Sequence, residues 1–227
     1  MDMMEGKTLL TAHSGADNTA DNSLDFVRYA LTLPVDAFEV DVRHNADGVL
    51  ALGHDEAGTD APTLEQVFAL AATHPTMKIN CDLKPAGLER EVCALARQMG
   101  LAGRLVLSGT VDVAVWASDE MLRETAEVYL NIEEYVPDIY VSYRNIPDFE
   151  LTAAAQIAAV CKQYGVNTVN INQMLVTRRL VQTLLREGIG LSAWTVNEES
   201  ELRWFFGEGV RNVTTRAARQ SLALRSM

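Results

Sequence analysis

Two short stretches of the sequence, AFEVDVR and KINCDLK, each place charged side chains two residues apart: Glu39 with Asp41, and Asp82 with Lys84. Both stretches are typical of strands, in which side chains at i and i+2 share a face. Either pair alone could be a solvated strand face. If the two strands are neighbours, three carboxylates converge and repel one another, and a hard cation relieves that repulsion. We therefore predict a Mg²⁺ or Ca²⁺ site formed by Glu39, Asp41 and Asp82.

Two histidines follow strand-like runs close to these acids in the sequence. His13 ends TLLTAH, and His54 ends GVLALGH, a strand-like excursion after the Asp47-Gly48 turn. Imidazoles titrate near neutral pH, so one can act as general base while another acts as general acid. His13 and His54 could therefore flank the predicted metal and share the proton transfers of a reaction there.

Short apolar runs alternate with longer amphipathic ones along the whole chain, which predicts eight strand–helix units. The predicted strands are 8–13, 37–43, 78–84, 104–109, 127–132, 168–172, 191–196 and 211–215, and the predicted helices are 20–32, 63–74, 87–99, 111–123, 151–164, 176–187, 198–207 and 216–225. This order predicts an α/β fold, a (β/α)₈ TIM barrel, as a single domain over residues 1–227. An open, doubly wound sheet is the alternative.

One long irregular stretch, residues 133–150, follows the fifth predicted strand and should therefore lie on the catalytic face of a barrel. Its aromatic residues are Tyr135, Tyr140, Tyr143 and Phe149. They could line a substrate pocket, or the stretch could simply pack over the barrel rim.

Composition narrows the classes of partner. The formal net charge is −12 and the pI is about 4.7. A protein that binds nucleic acid needs a run of basic residues to neutralise phosphates, and the sequence contains none. A phosphate ligand must then be held by local positive charge, from a metal or a few basic side chains. Three widely spaced cysteines indicate reduced thiols, and the first residues, MDMMEGKTLL, resemble neither a signal peptide nor a membrane span. We expect a cytoplasmic protein without stable membrane association.

Four segments together resemble the glycerophosphodiester phosphodiesterase family. They are HSGADNTADNSLDF (13–26), FEVDVRHNADGVLALGHD (38–55), INCDLK (79–84) and AWTVN (193–197). Each motif alone is weak, but the combination is specific and spans most of the chain.

The resemblance implies a metal-dependent barrel enzyme that hydrolyses a glycerophosphodiester to glycerol phosphate and an alcohol. It implies that His13 and His54 are the catalytic pair and that the three acids bind the metal. Lys84 would contact the phosphate or the developing charge, and Trp194, within AWTVN, is placed with the substrate-binding residues. The nucleophile is either water or the adjacent glycerol hydroxyl, which would give a cyclic phosphate intermediate.

The chain departs from the family pattern at several positions. Ser14 stands where the family has a phosphate-binding arginine, Asp82 and Asp21 each replace a glutamate, and the segment after His54 lacks a small insertion. The last strand ends with Arg216 where the family commonly has aspartate. Since strand eight neighbours strand one in a closed barrel, Arg216 could supply the missing guanidinium. Alternatively, it merely begins the last helix in solvent.

Two other functions are compatible with these residues. Loss of the arginine at position 14 would suit a non-catalytic barrel that binds a phosphate ligand. Lys84 at a strand end could form a Schiff base, as in aldolases, although the nearby acids would raise its pKa.

Overall fold

The computed structural model describes residues 7–136, 139–141 and 148–226. The strands are β1 (Leu9–Ala12), β2 (Ala37–His44), β3 (Leu50–Leu52), β4 (Lys78–Leu83), β5 (Leu105–Gly109), β6 (Ala126–Val128), β7 (Leu130–Asn131), β8 (Thr168–Asn172), β9 (Gly190–Trp194) and β10 (Asn212–Thr215). The α-helices are α1 (Leu24–Leu31), α2 (Leu64–Ala72), α3 (Glu89–Gln98), α4 (Val113–Ser118), α5 (Glu120–Thr125), α6 (Phe149–Tyr164), α7 (Arg178–Arg186), α8 (Glu199–Gly207) and α9 (Ala218–Arg225).

Nine of these strands form a parallel sheet in the order β6-β5-β4-β2-β1-β10-β9-β8-β7. The two ends of this order, β6 and β7, are separated only by Tyr129, so they are two parts of one strand. The first part pairs with β5 and the second with β8, which closes the sheet into an eight-position barrel. The predicted (β/α)₈ barrel is confirmed, and the open-sheet alternative is wrong.

Strand β3 is not part of the barrel wall. It pairs antiparallel with the outer half of β2, with Val42 opposite Leu52 and His44 opposite Leu50. This hairpin arm carries the chain outward and returns it to His54 at the barrel mouth.

Alternation along β2 divides its side chains between two environments. Phe38, Val40 and Val42 are fully buried between the barrel and the helices, and the Phe38 ring packs edge-on against Phe26 of α1 at 6.3 Å. The intervening Glu39 and Asp41 point into the barrel instead, as the two-residue period requires. The hydrophobic core therefore lies between wall and helices.

The barrel interior is filled largely by hydrogen-bonded polar side chains below the mouth. The Thr11 hydroxyl donates to Asn212 Oδ1 at 2.8 Å, and Asn212 Nδ2 donates to Ser192 Oγ at 2.9 Å. All three residues are buried. Because each of these groups has a partner, this polar interior avoids the cost of unpaired buried dipoles.

The predicted helix 111–123 is wrong as a single element. It consists of α4 and α5, which meet at Asp119, a residue with extended backbone angles. The Asp119 carboxylate accepts from the backbone N–H of Met121 at 3.0 Å and so caps the start of α5. An aspartate favours capping over helix continuation, which explains the break.

Along the described part of the chain, the helices are too short or too polar to cross a bilayer.

Gly109, the last residue of β5, should tolerate no side chain. Its φ is 77°, and a Cβ there would lie 2.3 Å from Asp82 Oδ1 and 2.4 Å from the Leu83 carbonyl oxygen. Gly103 has almost the same φ, 78°, but its Cβ would meet nothing within 4 Å. We expect Gly103→Ala to cost about 1 kcal/mol from left-handed strain alone. Gly109→Ala should cost about 1–3 kcal/mol more from overpacking.

Urea unfolding of the two variants measures this difference. Equal losses of unfolding free energy would show that β5 does not approach β4 closely at Gly109.

Candidate active site

One cavity of about 740 Å³ opens at the C-terminal ends of the barrel strands, a volume typical of small-molecule sites. Every residue singled out in the sequence as a site residue lines it. These residues are His13, Glu39, Asp41, His54, Asp82, Lys84, Trp194 and Arg216. The structure thus brings together side chains on or directly after five barrel strands, β1, β2, β4, β9 and β10, and His54 from the end of the β3 arm.

The three predicted metal ligands form a tight carboxylate cluster. Asp41 and Asp82 are opposite each other in the register of β2 and β4, and one oxygen from each of Glu39, Asp41 and Asp82 lies within 4.8 Å of the others. Glu39 is 4% exposed, and its burial and then the charges of Asp41 and Asp82 hold its pKa well above the ordinary value. A bound divalent cation would offset the repulsion that opposes ionisation of Glu39. The three side chains offer only oxygen ligands, which hard cations prefer.

Lys84 partly neutralises this cluster. Its Nζ lies 2.7 Å from Asp41 Oδ1 and 2.6 Å from Asp82 Oδ2. Burial alone would lower the pKa of Lys84, but the two carboxylates outweigh it and raise the pKa to about 12. The amine is therefore protonated at neutral pH and lacks the free lone pair that a Schiff-base nucleophile needs.

Hydrogen bonds fix the remaining oxygens of the two aspartates. Asn22 Nδ2 donates to Asp41 Oδ2 at 2.7 Å, and the Ser108 hydroxyl lies 3.0 Å from Asp82 Oδ1. Burial would raise the pKa of Asp41, but hydrogen bonds from Asn22 and Lys84, together with the lysine charge, lower it below its usual value. Asp41 therefore stays ionised more readily than its neighbour Glu39, whose pKa is raised.

His13 lines the cavity directly after β1, with its Nδ1 2.8 Å from the Ser14 carbonyl oxygen and 3.6 Å from Glu39 Oε2. A carbonyl can only accept, so Nδ1 carries the hydrogen and Nε2 is left with a free lone pair. Burial is the main cause that lowers the pKa of His13.

His54 lies at the rim of the cavity, with its side chain 66% exposed. Its Nδ1 is 2.8 Å from Asp55 Oδ1. An ionised carboxylate only accepts, so this contact also places a hydrogen on Nδ1 and leaves Nε2 for exchange with a ligand. Both histidines are thus oriented in the same way, each by an acceptor on Nδ1 contributed by the following residue.

Arg216 and Trp194 line the cavity from the ends of β10 and β9, which follow β1 in the order of the barrel strands. The Arg216 guanidinium lies beside the loop that follows β1 and pairs with Asp21 at 3.1 Å. The indole Nε1 of Trp194 is buried and has no hydrogen-bond partner among the described residues. A buried donor without a partner is costly, and a ligand oxygen would relieve that cost.

Several cavity residues escaped the sequence analysis. They are Asn80, Ser108, Asn131, Asn170 and Thr214 from the barrel wall and Glu133 and Glu134 from the segment after β7. Asn80 could have been predicted from the sequence, because it lies two residues before Asp82 on the same strand and so shares its face. Tyr140 does line the pocket, whereas Tyr135 packs against Tyr164 at 6.3 Å, Phe149 begins α6, and Tyr143 lies outside the described residues.

Comparisons with known proteins agree with this fold. The model of the glycerophosphoryl diester phosphodiesterase family matches residues 56–217, a span that begins just after His54 and includes Asp82, Lys84, Trp194 and Arg216. Glycerophosphodiester phosphodiesterase GDPD4 of Arabidopsis thaliana is 23% identical over a 249-residue alignment, which covers 94% of this chain and 72% of the plant protein.

Solved structures of similar proteins share the fold. A glycerophosphoryl diester phosphodiesterase from Agrobacterium tumefaciens superposes with a TM-score of 0.78 at 16% identity, covering 97% of this chain and 98% of that one. A phosphodiesterase from Oleispira antarctica, solved with its product sn-glycerol-3-phosphate, gives a TM-score of 0.72 at 18% identity, covering 96% and 97%. With a family match over well more than half its length, this chain belongs to the glycerophosphoryl diester phosphodiesterase family, whose members are phosphoric diester hydrolases.

Proposed function

We propose that the phosphodiesterase reaction takes place in the cavity at the barrel mouth, with a glycerophosphodiester as substrate and glycerol phosphate and an alcohol as products. The observation that carries the proposal is the convergence of the Glu39–Asp41–Asp82 cluster and two oriented histidines in one cavity. The glycerol phosphate found as product in the Oleispira protein supports this choice of substrate class.

Glu39, Asp41 and Asp82 would hold Mg²⁺ or Ca²⁺, and their all-oxygen character supports both ions equally. When bound, the cation would supply Lewis-acid stabilisation of charge on the phosphoryl oxygens. The cavity contains too little positive charge from side chains to do this alone, because Lys84 is already shared between Asp41 and Asp82.

His13 and His54 would divide the proton transfers between them. One Nε2 takes the proton from the attacking hydroxyl as its oxygen bonds to phosphorus. The other histidine, entering the reaction as an imidazolium with a hydrogen on each nitrogen, gives its Nε2 proton to the departing alkoxide as the ester P–O bond breaks. With water as nucleophile, glycerol phosphate forms directly. With the neighbouring glycerol hydroxyl as nucleophile, a cyclic phosphate forms first and water then opens it.

Three further side chains would contact the phosphate. Lys84 stays charged because its pKa is about 12, Arg216 brings a guanidinium to the rim, and Trp194 offers its buried Nε1–H. The pairing of Arg216 with Asp21 would have to be shared with the ligand. These donors lie around one cavity, which supports a role in holding an anionic diester.

A barrel that binds a phosphate ligand without turnover is the second candidate, because Ser14 stands in place of the family's arginine. Retention of both histidines, each with Nδ1 held and Nε2 left for proton transfer, favours catalysis. We also propose that the protein acts in the cytoplasm, which the three unpaired, buried cysteines support.

Hydrolysis of glycerophosphodiesters with and without a chelator tests the proposal. We expect EDTA to abolish turnover and Mg²⁺ or Ca²⁺ to restore it. Asp82→Asn should lower kcat/KM by about 100-fold or more, because metal stabilisation of the transition state is worth several kcal/mol. Asp25→Asn, the same change at a carboxylate that is 87% exposed on α1, is the matched control and should have little effect. Full activity in EDTA would contradict the metal-dependent mechanism, and no turnover with either ion would favour the binding barrel.

Leaving-group chemistry separates the two histidines. Replacing either His13 or His54 by Asn should lower kcat by about 10²–10⁴-fold on a diester with an alkyl alcohol. A nitrophenyl ester leaves without protonation, so the variant that lacks the general acid should regain most of its rate on that substrate and the other should not. His74→Asn, at an exposed position outside the cavity, is the control. Equal losses of both variants on both substrates would refute the division of proton transfers.

A further inference from the structure

Ser14 occupies a position in which its side chain cannot reach a substrate. It is 1% exposed and is not among the residues that line the cavity. Its hydroxyl instead accepts a hydrogen bond from the Asn22 backbone N–H at 2.5 Å and lies 3.3 Å from Asn22 Oδ1. Its backbone N–H donates to Glu39 Oε2 at 3.0 Å. The residue that replaces the family's arginine is thus committed to contacts within the chain.

Asn22 connects Ser14 to the carboxylate cluster. Its φ of 50° is left-handed, a conformation that Asn adopts more readily than most residues, and this turns its N–H toward Ser14. Its Oδ1 accepts from the Asp41 N–H at 3.0 Å, while its Nδ2 donates to Asp41 Oδ2 at 2.7 Å. The Asp41 N–H only donates and its carboxylate only accepts, so the orientation of the Asn22 amide is determined.

Asp41 is consequently held from two sides, by Asn22 on Oδ2 and by Lys84 on Oδ1. A carboxylate whose rotation is already fixed loses little freedom when it coordinates a cation. Partners that orient metal ligands in this way typically change metal affinity by about 10–100-fold when removed.

We propose that Ser14 and Asn22 form a positioning pair for the metal site, in which the Ser14 hydroxyl fixes Asn22 and Asn22 fixes Asp41. The inference rests on the proposed metal site at Glu39, Asp41 and Asp82. It gives Ser14 a role different from that of the arginine it replaces: Ser14 acts on a metal ligand through Asn22, while phosphate contact is left to other residues.

Isothermal titration calorimetry of the full chain with Mg²⁺ or Ca²⁺ alone tests the pair. Asn22→Ala should weaken cation binding by about 10–100-fold. Ser14→Ala, which removes one hydroxyl, should weaken it by about fivefold. Because Ser14 acts through Asn22, the double variant should bind no more weakly than Asn22→Ala.

Asn18→Ala is the matched control, since Asn18 has a left-handed φ of 68° in the same loop and is exposed. It should lose similar stability from backbone strain yet keep wild-type cation affinity. Thermal unfolding in EDTA measures the stability of each variant, which separates a structural loss from a positioning effect. If Asn22→Ala does not fold, Ser14→Ala is compared with Ser14→Thr, which keeps the hydroxyl and should restore affinity.

Wild-type affinity in Asn22→Ala, strictly additive losses in the double variant, or equal affinity of Ser14→Ala and Ser14→Thr would each overturn the positioning pair. Absence of cation binding by the wild-type chain would overturn the proposed metal site as well, so the two failures are distinguishable.

Discussion

Three carboxylates packed into the mouth of a barrel impose the main physical constraint on this protein. Glu39 and Asp41 are each 4% exposed, and Asp82 is their neighbour on the next strand. Burial, together with the charges of the two neighbouring aspartates, opposes ionisation of Glu39 and raises its pKa. Lys84 brings one positive charge against three acids. The arrangement is therefore poised to accept a small, doubly charged cation.

The barrel is the scaffold that makes this arrangement possible. Parallel register between β2 and β4 aligns Asp41 with Asp82, and register between β4 and β5 aligns Asp82 with Ser108. Alternation sends the apolar side chains of the same strands outward under the helices, so the acids are fixed by well-packed backbone. The loop after β1 then adds His13, and Ser14 and Asn22 of the same loop donate hydrogen bonds to Glu39 and Asp41. The strands and this loop together hold the three acids and His13 at one end of the barrel.

Local periodicity was sufficient to predict the eight barrel strands and the shared face of Glu39 and Asp41, because both follow from alternation within a few residues. Contacts between distant parts of the chain could not be predicted in the same way. Asn22 reaches Asp41 across 19 residues, and the side chain that it contacts depends on how the loop after β1 folds back over β2. The helix break at Asp119 was missed because an aspartate within an amphipathic run is compatible with both a cap and a helix interior. The order of the barrel strands indicated that Arg216 would lie beside the loop after β1, but not that Asp21 would pair with it.

The most direct test of this account is to locate the cation. Crystals grown with Mn²⁺, an oxygen-preferring ion with anomalous scattering, would show its position in an anomalous difference map. The account predicts one strong peak in contact with carboxylate oxygens of Glu39, Asp41 and Asp82. A map with no peak in the cavity, or with the cation bound only at acids elsewhere on the surface, would contradict it.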